Sequence, residues 1–306
     1  MTRFLISTVL AIAAMSGLYW WAFLDGDTSR GAPFGLDVAE IRKLADSIPG
    51  PKPTRVRQEH VATFNFFGGM IVAGDGWSVS PMMIYAYQLV YPDHTAMIDA
   101  AFDRASAPPD FITKTYDGAA YDRVERALSK ASLIVITHEH MDHIGGVLQH
   151  PALASLLPAL KLTDVQLAHP EKMRPVKFPD RALKDYKPLH YDKALAVAPG
   201  VVLIAAPGHT PGSQMVYVKL EDGREYLFLG DVTWHRRNID LPRERPRWVT
   251  ALLIQEDRAL VSGEINSLHD LAAQEPGIKI VPGHDGDVVE ALTAAGFMDR
   301  GFVDTP

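Results

Sequence analysis

A chain of 306 residues, 47% hydrophobic and 22% charged, is long enough for one large globular domain or two smaller ones. Its formal net charge of −7 gives no reason to expect nucleic acid as a partner. The sequence contains no cysteine, which excludes disulfides and thiolate ligands, so any bound metal must be held by histidines and carboxylates.

The first predicted element is an apolar segment at the N-terminus. Residues 4–24 carry no charge, and 21 residues at about 1.5 Å each can cross a hydrocarbon core of roughly 30 Å. Arg3 precedes the segment and two aspartates follow it, which predicts a cytoplasmic N-terminus and an extracytoplasmic body, periplasmic if the chain is bacterial. We therefore expect residues 1–24 to be an uncleaved membrane anchor, with secretion after removal of a signal peptide as the alternative.

The rest of the chain divides into a linker and a domain. Residues 25–58 predict a linker with one short helix, ending at the proline-rich stretch "PGPKP". Residues 59–306 form the predicted domain, in which "SLIVITH", "VQLAHP", "GVVLIAAPGHT", "SQMVYVKL", "EYLFLGD" and "IKIVPGHD" indicate strands. Helices are predicted at "AAYDRVERALSKA" and between Trp248 and Gln274. Strands in both halves with helices between them predict an α/β sandwich of two mixed sheets with helices outside.

Histidine and aspartate recur at four predicted strand exits, where a rigid scaffold can direct side chains to one point. The residues are His138, His140, Asp142, His143, His209, Asp231 and His284. A single histidine after a strand is usually a surface or hydrogen-bonded core residue, but seven such residues at strand exits are not explained that way. Near a strand end, His138 and His140 point the same way, and a following helix would direct Asp142 and His143 to a neighbouring point.

This pattern can supply two adjacent metal ions. His209 would complete a set of three histidines on one ion, His284 would join Asp142 and His143 on the other, and Asp231 would bridge them. Two divalent ions at such a spacing lower the pKa of a bound water towards ~7 and polarise a carbonyl group. We expect Zn²⁺, with Mn, Fe or Co as alternatives, because histidine and carboxylate ligands accept all four.

The motifs "THEHMDHIGG", "PGHTPGS", "LGD" and "PGHD" together resemble those of the metallo-β-lactamase-fold hydrolases, over roughly residues 61–288. The resemblance implies an αββα sandwich with a dinuclear metal centre in the cleft between the sheets and a metal-bridging hydroxide as nucleophile. It implies the same division of ligands. The first metal would be bound by His138, His140 and His209, the second by Asp142, His143 and His284, and Asp231 would bridge the two.

The resemblance also bears on residues beside these motifs. It implies that Asp99 supports the site through hydrogen bonds rather than by binding metal. We expect Glu139 to alternate away from the metals as a structural or solvent-facing residue, and Gly145 and Gly146 to allow close packing at the start of a helix. Six further histidines are expected to lie outside the site: His60, His94, His150, His169, His190 and His269.

The substrate is predicted less narrowly than the site. The wording "PGHTPGSQ…LGDVTW…PGHD" looks similar to N-acyl homoserine lactonases and related esterases, which implies attack on a lactone, ester, thioester or amide. The alternatives are a two-metal phosphodiesterase or nuclease, and a β-lactamase, although zinc β-lactamases typically have Cys or Ser near the position of Asp231. The predicted catalytic residues are Asp142 and Trp234, whose indole N–H stands where those lactonases often have a tyrosine.

Five arginines follow the third motif closely: Arg236, Arg237, Arg243, Arg245 and Arg247. They predict either a solvated loop or a rim that attracts an anionic substrate or lipid headgroups. The expected partners are therefore a small-molecule ester or lactone and, through the N-terminal segment, a membrane. Nucleic acid is not expected, and the oligomeric state is left open.

Overall fold

The computed structural model describes the backbone of residues 2–304. The side chains of residues 2 and 3 lie outside the described part, and with them the charge of Arg3 on which the predicted membrane orientation depends. Helix α1 (Thr2–Tyr19) continues into a π-helical turn at Trp20–Leu24. The stretch Phe4–Leu24 is long and apolar enough to cross a membrane, and none of it is buried by the rest of the protein.

Two mixed sheets form the centre of the fold. The first has the strand order β12-β1-β2-β3-β5-β6, with β4 paired to β1. Its strands are β1 (Arg55–Phe67), β2 (Val79–Val90), β3 (Thr95–Ile98), β4 (Thr113–Tyr116), β5 (Leu133–Val135), β6 (Leu160–Lys161) and β12 (Asp299–Arg300). Strands β1 and β2 make a long antiparallel hairpin, whereas β3, β5 and β6 run parallel to one another.

The second sheet has the order β11-β10-β9-β8-β7. Its strands are β7 (Ala194–Ala198), β8 (Val201–Ala205), β9 (Gln214–Lys219), β10 (Glu225–Phe228) and β11 (Lys279–Val281). Strands β7 to β10 pair antiparallel and β11 joins β10 in parallel, so this sheet is mixed as well.

Three apolar layers hold the sheets and helices together. Side chains such as Tyr87 and Ile98 from the first sheet meet Leu203 and Phe228 from the second, and fill the space between the sheets. Helices α4 (Gly118–Lys130), α5 (Met141–Leu148) and α6 (Leu153–Leu156) cover the outer face of the first sheet. Helices α2 (Val38–Ala45) and α9 (Arg258–Gln274) cover the second sheet. The predicted αββα sandwich is therefore confirmed.

Short helices connect these layers. They are α3 (Gly68–Ile71), α7 (Asp164–Ala168), α8 (Arg236–Asp240) and α10 (Gly286–Ala294), with 3₁₀ turns at Arg104–Ser106, Pro170–Met173 and Gly230–Val232. The prediction of a strand at "VQLAHP" is wrong, because this stretch is helix α7. Thr163 and Gln166 form a capping box there, with each side chain satisfying the backbone of the other, which favours a helix start over an extended strand.

The helix predicted between Trp248 and Gln274 is interrupted. A π-helical turn occupies Val249–Ile254 and ends at Gln255, whose φ of 54° places it in the left-handed region. Helix α9 then starts at Arg258, where Asp257 accepts hydrogen bonds from the first backbone N–H groups. The apolar pattern of this stretch does not reveal such a break.

The segment predicted as a linker packs against the domain. Helix α2 buries Ile41 and Ala45 on the second sheet, and Gly200 donates a backbone hydrogen bond to Ala45. Strand β1 begins at Arg55, so the predicted boundary between residues 58 and 59 falls inside a strand. Burial of one helical face and early pairing of β1 make residues 38–58 part of the sandwich.

Candidate metal centre

The strand exits that carry the seven predicted ligands lie at one edge of the sandwich. Strand β5 leads to the "THEHMDH" motif, β8 leads to His209, β10 to Asp231 and β11 to His284. Asp142 and His143 lie in the first turn of α5, which begins directly after His140. Because β10 and β11 are parallel and β3 and β5 are parallel, the carboxyl ends of each pair meet at a common edge.

Four of the predicted ligands form a first group whose donor atoms all lie within 4.8 Å of one another. Nδ1 of His140 lies 3.1 Å from Nε2 of His138 and 3.0 Å from Nε2 of His209. Oδ2 of Asp231 lies 3.7 Å from Nε2 of His138 and 3.5 Å from Nε2 of His209. Ligands bound to a tetrahedral zinc ion at about 2.0–2.1 Å are roughly 3.3 Å apart, so these atoms have the spacing of one metal's ligands.

Asp142, His143 and His284 form a second group beside the first, again with donor atoms within 4.8 Å. Oδ2 of Asp142 lies 3.7 Å from Nε2 of His143 and 3.6 Å from Nε2 of His284. Oδ1 of Asp231 is 3.2 Å from the first of these nitrogens and 3.0 Å from the second. Asp231 therefore lies between the groups: Oδ1 faces the second group, and Oδ2 faces the first group and also lies 3.2 Å from Nε2 of His284.

The outer ring nitrogens of the histidines are held by acceptors that have no proton to give. His143 donates from Nδ1 to Asp99 Oδ2 at 2.8 Å, His209 to Glu256 Oε2 at 3.0 Å and His284 to the carbonyl of Met83 at 3.0 Å. When these rings are neutral, with the proton on Nδ1, Nε2 carries a lone pair that faces the centre of the cluster. Asp99 thus lies behind His143, as the resemblance implied.

Two of the inner atoms make no hydrogen bond. Among the described residues, His143 Nε2 and Asp231 Oδ1 are buried and have no hydrogen-bond partner. Buried polar atoms are normally satisfied, so unpaired donor atoms that converge on one point indicate a ligand. An all-histidine and carboxylate set at these spacings fits divalent ions such as zinc.

The charges of the cluster also favour binding of a cation. Burial lowers the pKa of His138 and His140 well below the ordinary value, which keeps these imidazoles neutral. Burial acts in the same direction on His143 and His284, but Asp231 and neighbouring carboxylates raise the pKa of both above it. Protons on these two rings supply positive charge that a divalent ion would replace.

The cluster has one open side. Of the seven residues, only His140 and Asp142 are partly exposed, and the other five are buried. A small molecule that reaches the cluster must therefore enter past these two side chains.

Sequence reasoning missed a buried ion pair behind the first group. Arg245 donates from Nη2 to Glu256 Oε2 at 2.6 Å, and its side chain is only 1% exposed. Burial opposes ionisation of Glu256, yet Arg245 and His209 keep its pKa below the ordinary value, so it remains a carboxylate. The guanidinium also lies 4.7 Å from the ring centroid of Trp234. The sequence offered no signal for this pair beyond the presence of an arginine and a glutamate in nearby loops.

Trp234 lies beside the cluster but does not offer its N–H to a substrate. Its Nε1 donates to Asp231 Oδ2 at 2.8 Å, and the side chain is buried. The indole N–H is therefore already bonded to Asp231, the residue between the two groups.

Each of the five arginines at residues 236–247 binds at least one group of the chain itself, which does not favour the alternative of a rim of free arginines. Beside the buried Arg245, the pairs are Arg236 with Asp240 at 2.7 Å, Arg237 with Asp75, Arg243 with the carbonyl of Leu24 at 2.8 Å and Arg247 with Asp25 at 2.7 Å. Their charge is used to fix loops rather than to attract an anion.

The positions beside the first motif have structural roles. Glu139 is fully buried rather than solvent-facing, and it accepts hydrogen bonds from the hydroxyl of Thr210 and from the N–H of Gly212 at 2.9 Å. Gly146 packs against the backbone of Ala100 so closely that a Cβ would overlap its carbonyl oxygen. The close packing predicted for the glycine pair is present.

The six histidines that were expected outside the site lie outside both groups: His60, His94, His150, His169, His190 and His269. Each is engaged elsewhere in the described structure; His94, for example, stacks on Tyr91 with ring centroids 4.2 Å apart.

Two mixed sheets with a buried histidine and aspartate cluster at one edge define a class of metal-dependent hydrolases. Comparison with known families agrees, since the sequence pattern of the metallo-beta-lactamase superfamily matches residues 79–284, more than half of the chain. The chain belongs to the metallo-beta-lactamase superfamily and is a metal-dependent hydrolase.

Individual relatives fit this assignment. The probable metallo-hydrolase Rv2300c of Mycobacterium tuberculosis is 30% identical over 286 residues, which cover 81% of this chain and 85% of that protein. A quorum-quenching N-acyl homoserine lactone lactonase superposes with a TM-score of 0.60 at 16% identity, over 78% of this chain and 95% of the other. An N-acyl homoserine lactone hydrolase with N-hexanoyl-L-homoserine at its catalytic metal centre has a TM-score of 0.59 at 16% identity, over 78% and 96%. At these identities the two solved structures show a shared fold.

Proposed function

We propose that the chain hydrolyses a carbonyl compound, namely a lactone, ester, thioester or amide, with two divalent metal ions, in the first instance zinc. The observation that carries this proposal is the position of Asp231 between two groups of ligand atoms, with one oxygen at 3.0 and 3.2 Å from His284 and His143 and the other at 3.5 Å from His209. Bound there, two such ions make water nucleophilic near neutral pH and polarise a carbonyl oxygen.

The residues of the site have different roles. The three histidines of the first group and the three residues of the second hold the ions, and Asp231 sets the distance between them. Asp142 has a second role, because it is the partly exposed carboxylate at the open side and can hold a proton of the incoming water or leaving group. Trp234 fixes the rotation of the Asp231 carboxylate through its N–H and is a positioning residue.

The surroundings favour a carbonyl substrate over a phosphodiester. Recognition of phosphate usually relies on free arginines, and those of residues 236–247 are all engaged within the chain. The solved lactone hydrolase with its product at the metal centre has the same fold, which supports a small ester or lactone as the partner. Neither the net charge of −7 nor the site suggests nucleic acid.

We further propose that the N-terminal helix is an uncleaved anchor that places the catalytic body outside the cytoplasm, periplasmic in a bacterium. Its unburied apolar length supports this, and removal as a signal sequence is the alternative. Protein purified from membranes should begin at its first residues when sequenced from the N-terminus, whereas a sequence starting near residue 25 would contradict the anchor.

The test is hydrolysis by the full chain, purified in detergent and loaded with zinc, on a panel read with one pH indicator. The panel contains an acyl lactone, a thioester, an aryl ester, a β-lactam and a phosphodiester. We expect turnover of the lactone or esters, its loss in Asp142→Ala, and two zinc ions per wild-type chain by elemental analysis. Preference for the phosphodiester or the β-lactam would overturn the substrate class, and one ion per chain would overturn the dinuclear centre.

A further inference from the structure

The chain that follows the N-terminal helix is bonded directly to the catalytic body, without a flexible spacer. The bonds are Gly74 N–H to the carbonyl of Phe23 at 3.1 Å, Arg258 to the carbonyl of Asp25 at 2.8 Å, Arg247 to the carboxylate of Asp25 at 2.7 Å and Asn266 to the carbonyl of Thr28 at 2.9 Å. The direction in which the helix leaves therefore fixes which side of the body meets a membrane.

Large apolar side chains are exposed on that side. They are Phe67, Trp77 and Val79 at the tip of the β1–β2 hairpin and Leu252 and Leu253 on the π-helical turn, with exposed fractions of 44%, 58%, 59%, 73% and 56%. We call these five residues the apolar face. The ring of Phe23, at the end of the N-terminal helix, lies 5.9 Å from Trp77 and 5.8 Å from Trp248, so the helix is joined to both parts.

The apolar face is also next to the metal centre. Strand β2 runs antiparallel to β3, so its amino end and the hairpin tip lie at the edge where β3 leads to Asp99 and β5 leads to the first ligands. His284 bonds to Met83 near that end of β2. Phe66, beside the exposed Phe67, lies 5.8 Å from the ring of Trp234, which binds Asp231. The hairpin that carries part of the apolar face thus also contacts the residue that binds Asp231.

We propose that the apolar face lies in the bilayer interface and that the metal centre takes its substrate from the membrane, as a long-chain acyl ester or lactone dissolved in lipid. Soluble monomers rarely expose so many adjacent large apolar side chains. Tryptophan at the rim and leucines beyond it are the composition of a surface that enters the headgroup region. Because the apolar face is continuous with the apolar helix, we infer that lipid, rather than a second copy of the chain, covers it. The substrate part of this inference rests on the proposed carbonyl hydrolase function.

The position of the face can be tested without any activity. Because the natural chain has no cysteine, Leu252→Cys and Val165→Cys each carry one thiol for an environment-sensitive fluorophore. Val165 is the matched control, an aliphatic residue 40% exposed on α7, which follows β6, three strands from β2. In full-length protein in phosphatidylcholine vesicles, the label at position 252 should shift to the blue and be quenched by lipids brominated in the acyl chains, while the label at 165 should not.

An unshifted, unquenched label at position 252 would overturn the orientation. The same result accompanied by a ready disulfide between two unlabelled Leu252→Cys chains would assign the face to a second copy instead.

The substrate class is tested with two esters of one leaving group: a water-soluble butyryl ester and a palmitoyl ester dissolved in the vesicles. The double variant Leu252→Ser/Leu253→Ser should lower kcat/KM for the palmitoyl ester by about tenfold or more and leave the butyryl ester within about twofold. Val165→Ser should change neither. Equal losses on both esters would refute delivery from the membrane, and wild-type protein inactive on both would refute the proposed function while leaving the label result standing.

Discussion

The two halves of the candidate metal centre are supported in different ways. Behind the second group, Asp99 holds His143 and is itself held by the N–H of Thr137 at 2.7 Å and by the hydroxyl of that residue at 2.9 Å. Behind the first group, Glu256 holds His209 and is held by the guanidinium of Arg245. The support behind the second group comes from adjacent strand ends, and the support behind the first group comes from a buried ion pair.

This difference separates metal binding from folding. Asp99 is held by two hydrogen bonds from Thr137 in addition to the one from His143, so a change at Asp99 should act mainly through His143 on metal binding. Glu256 is fully buried and depends on one cation, so removal of that cation leaves an uncompensated charge in the interior. Damage to the support of the first group should therefore lower the stability of the protein, whereas damage to the support of the second group should weaken metal binding without unfolding the protein.

The largest effect is expected where the halves share a residue. Asp231→Asn removes the charge that faces both groups, so the binding of both ions should be weaker. We expect activity to fall by about a thousandfold or more, since several kcal/mol of transition-state stabilisation depend on the ions. Elemental analysis after dialysis should find fewer than one ion per chain, and retention of two ions with full activity would contradict the bridging role.

Arg245→Met and Asp99→Asn test the two supports against each other. Loss of Arg245 should lower the free energy of unfolding by about 3–5 kcal/mol, as when one partner of a buried pair is removed. Asp99→Asn should weaken binding of one ion by about 10–100-fold with a smaller change in stability. Denaturant melts and competition with a zinc chelator measure both quantities.

The matched control for this comparison is Arg236→Met, which removes an arginine paired with Asp240 at the surface and should cost about 1 kcal/mol or less. If Asp99→Asn unfolds the protein as readily as Arg245→Met, the two halves are not distinct in the way described.

A smaller effect is expected from Trp234→Phe, which deletes one hydrogen bond to the shared carboxylate. A hydrogen bond to a charged group contributes about 1.5–3 kcal/mol, so kcat should fall by roughly tenfold or somewhat more. Trp248→Phe is the control, because the indole N–H of Trp248 has no partner within the described structure. Unchanged kinetics in both variants would remove the positioning role from Trp234.

The smallest effect is expected on the pH dependence of stability, and it arises beside the first group of ligands. Glu264 accepts from the N–H of Gly208, next to His209, and burial raises its pKa from 4.5 to about 8. The unfolded chain therefore releases this proton at lower pH than the folded one, and stability is lost as the pH rises from about 4.5 through 8. Glu264→Gln should raise the Tm at pH 8 and leave it nearly unchanged at pH 4.5. A gain that is equal at both values would show that ionisation is not its cause.

The sequence alone predicts the strand ends that support the second group, but not the ion pair that supports the first. Strand exits, the helix that follows "THEHMDH" and the sandwich follow from local pattern, because backbone geometry places successive polar residues at a common edge. Burial of Arg245 depends on a loop conformation that no periodicity encodes, which is why its segment was expected at the surface. The strand predicted at residues 165–170 failed for a similar reason, since the capping interaction of Thr163 overrides an apolar run.

The tie made by Glu139 has a kinetic consequence. Its carboxylate joins the loop of His138 and His140 to the loop of His209 through Thr210 and Gly212, so the three imidazoles are held together by groups of the chain alone. We expect these hydrogen bonds to keep the two loops in place when the ion is removed. Metal uptake and exchange should then be governed by passage through the opening at His140 and Asp142, and metal-free protein should regain its ion without refolding.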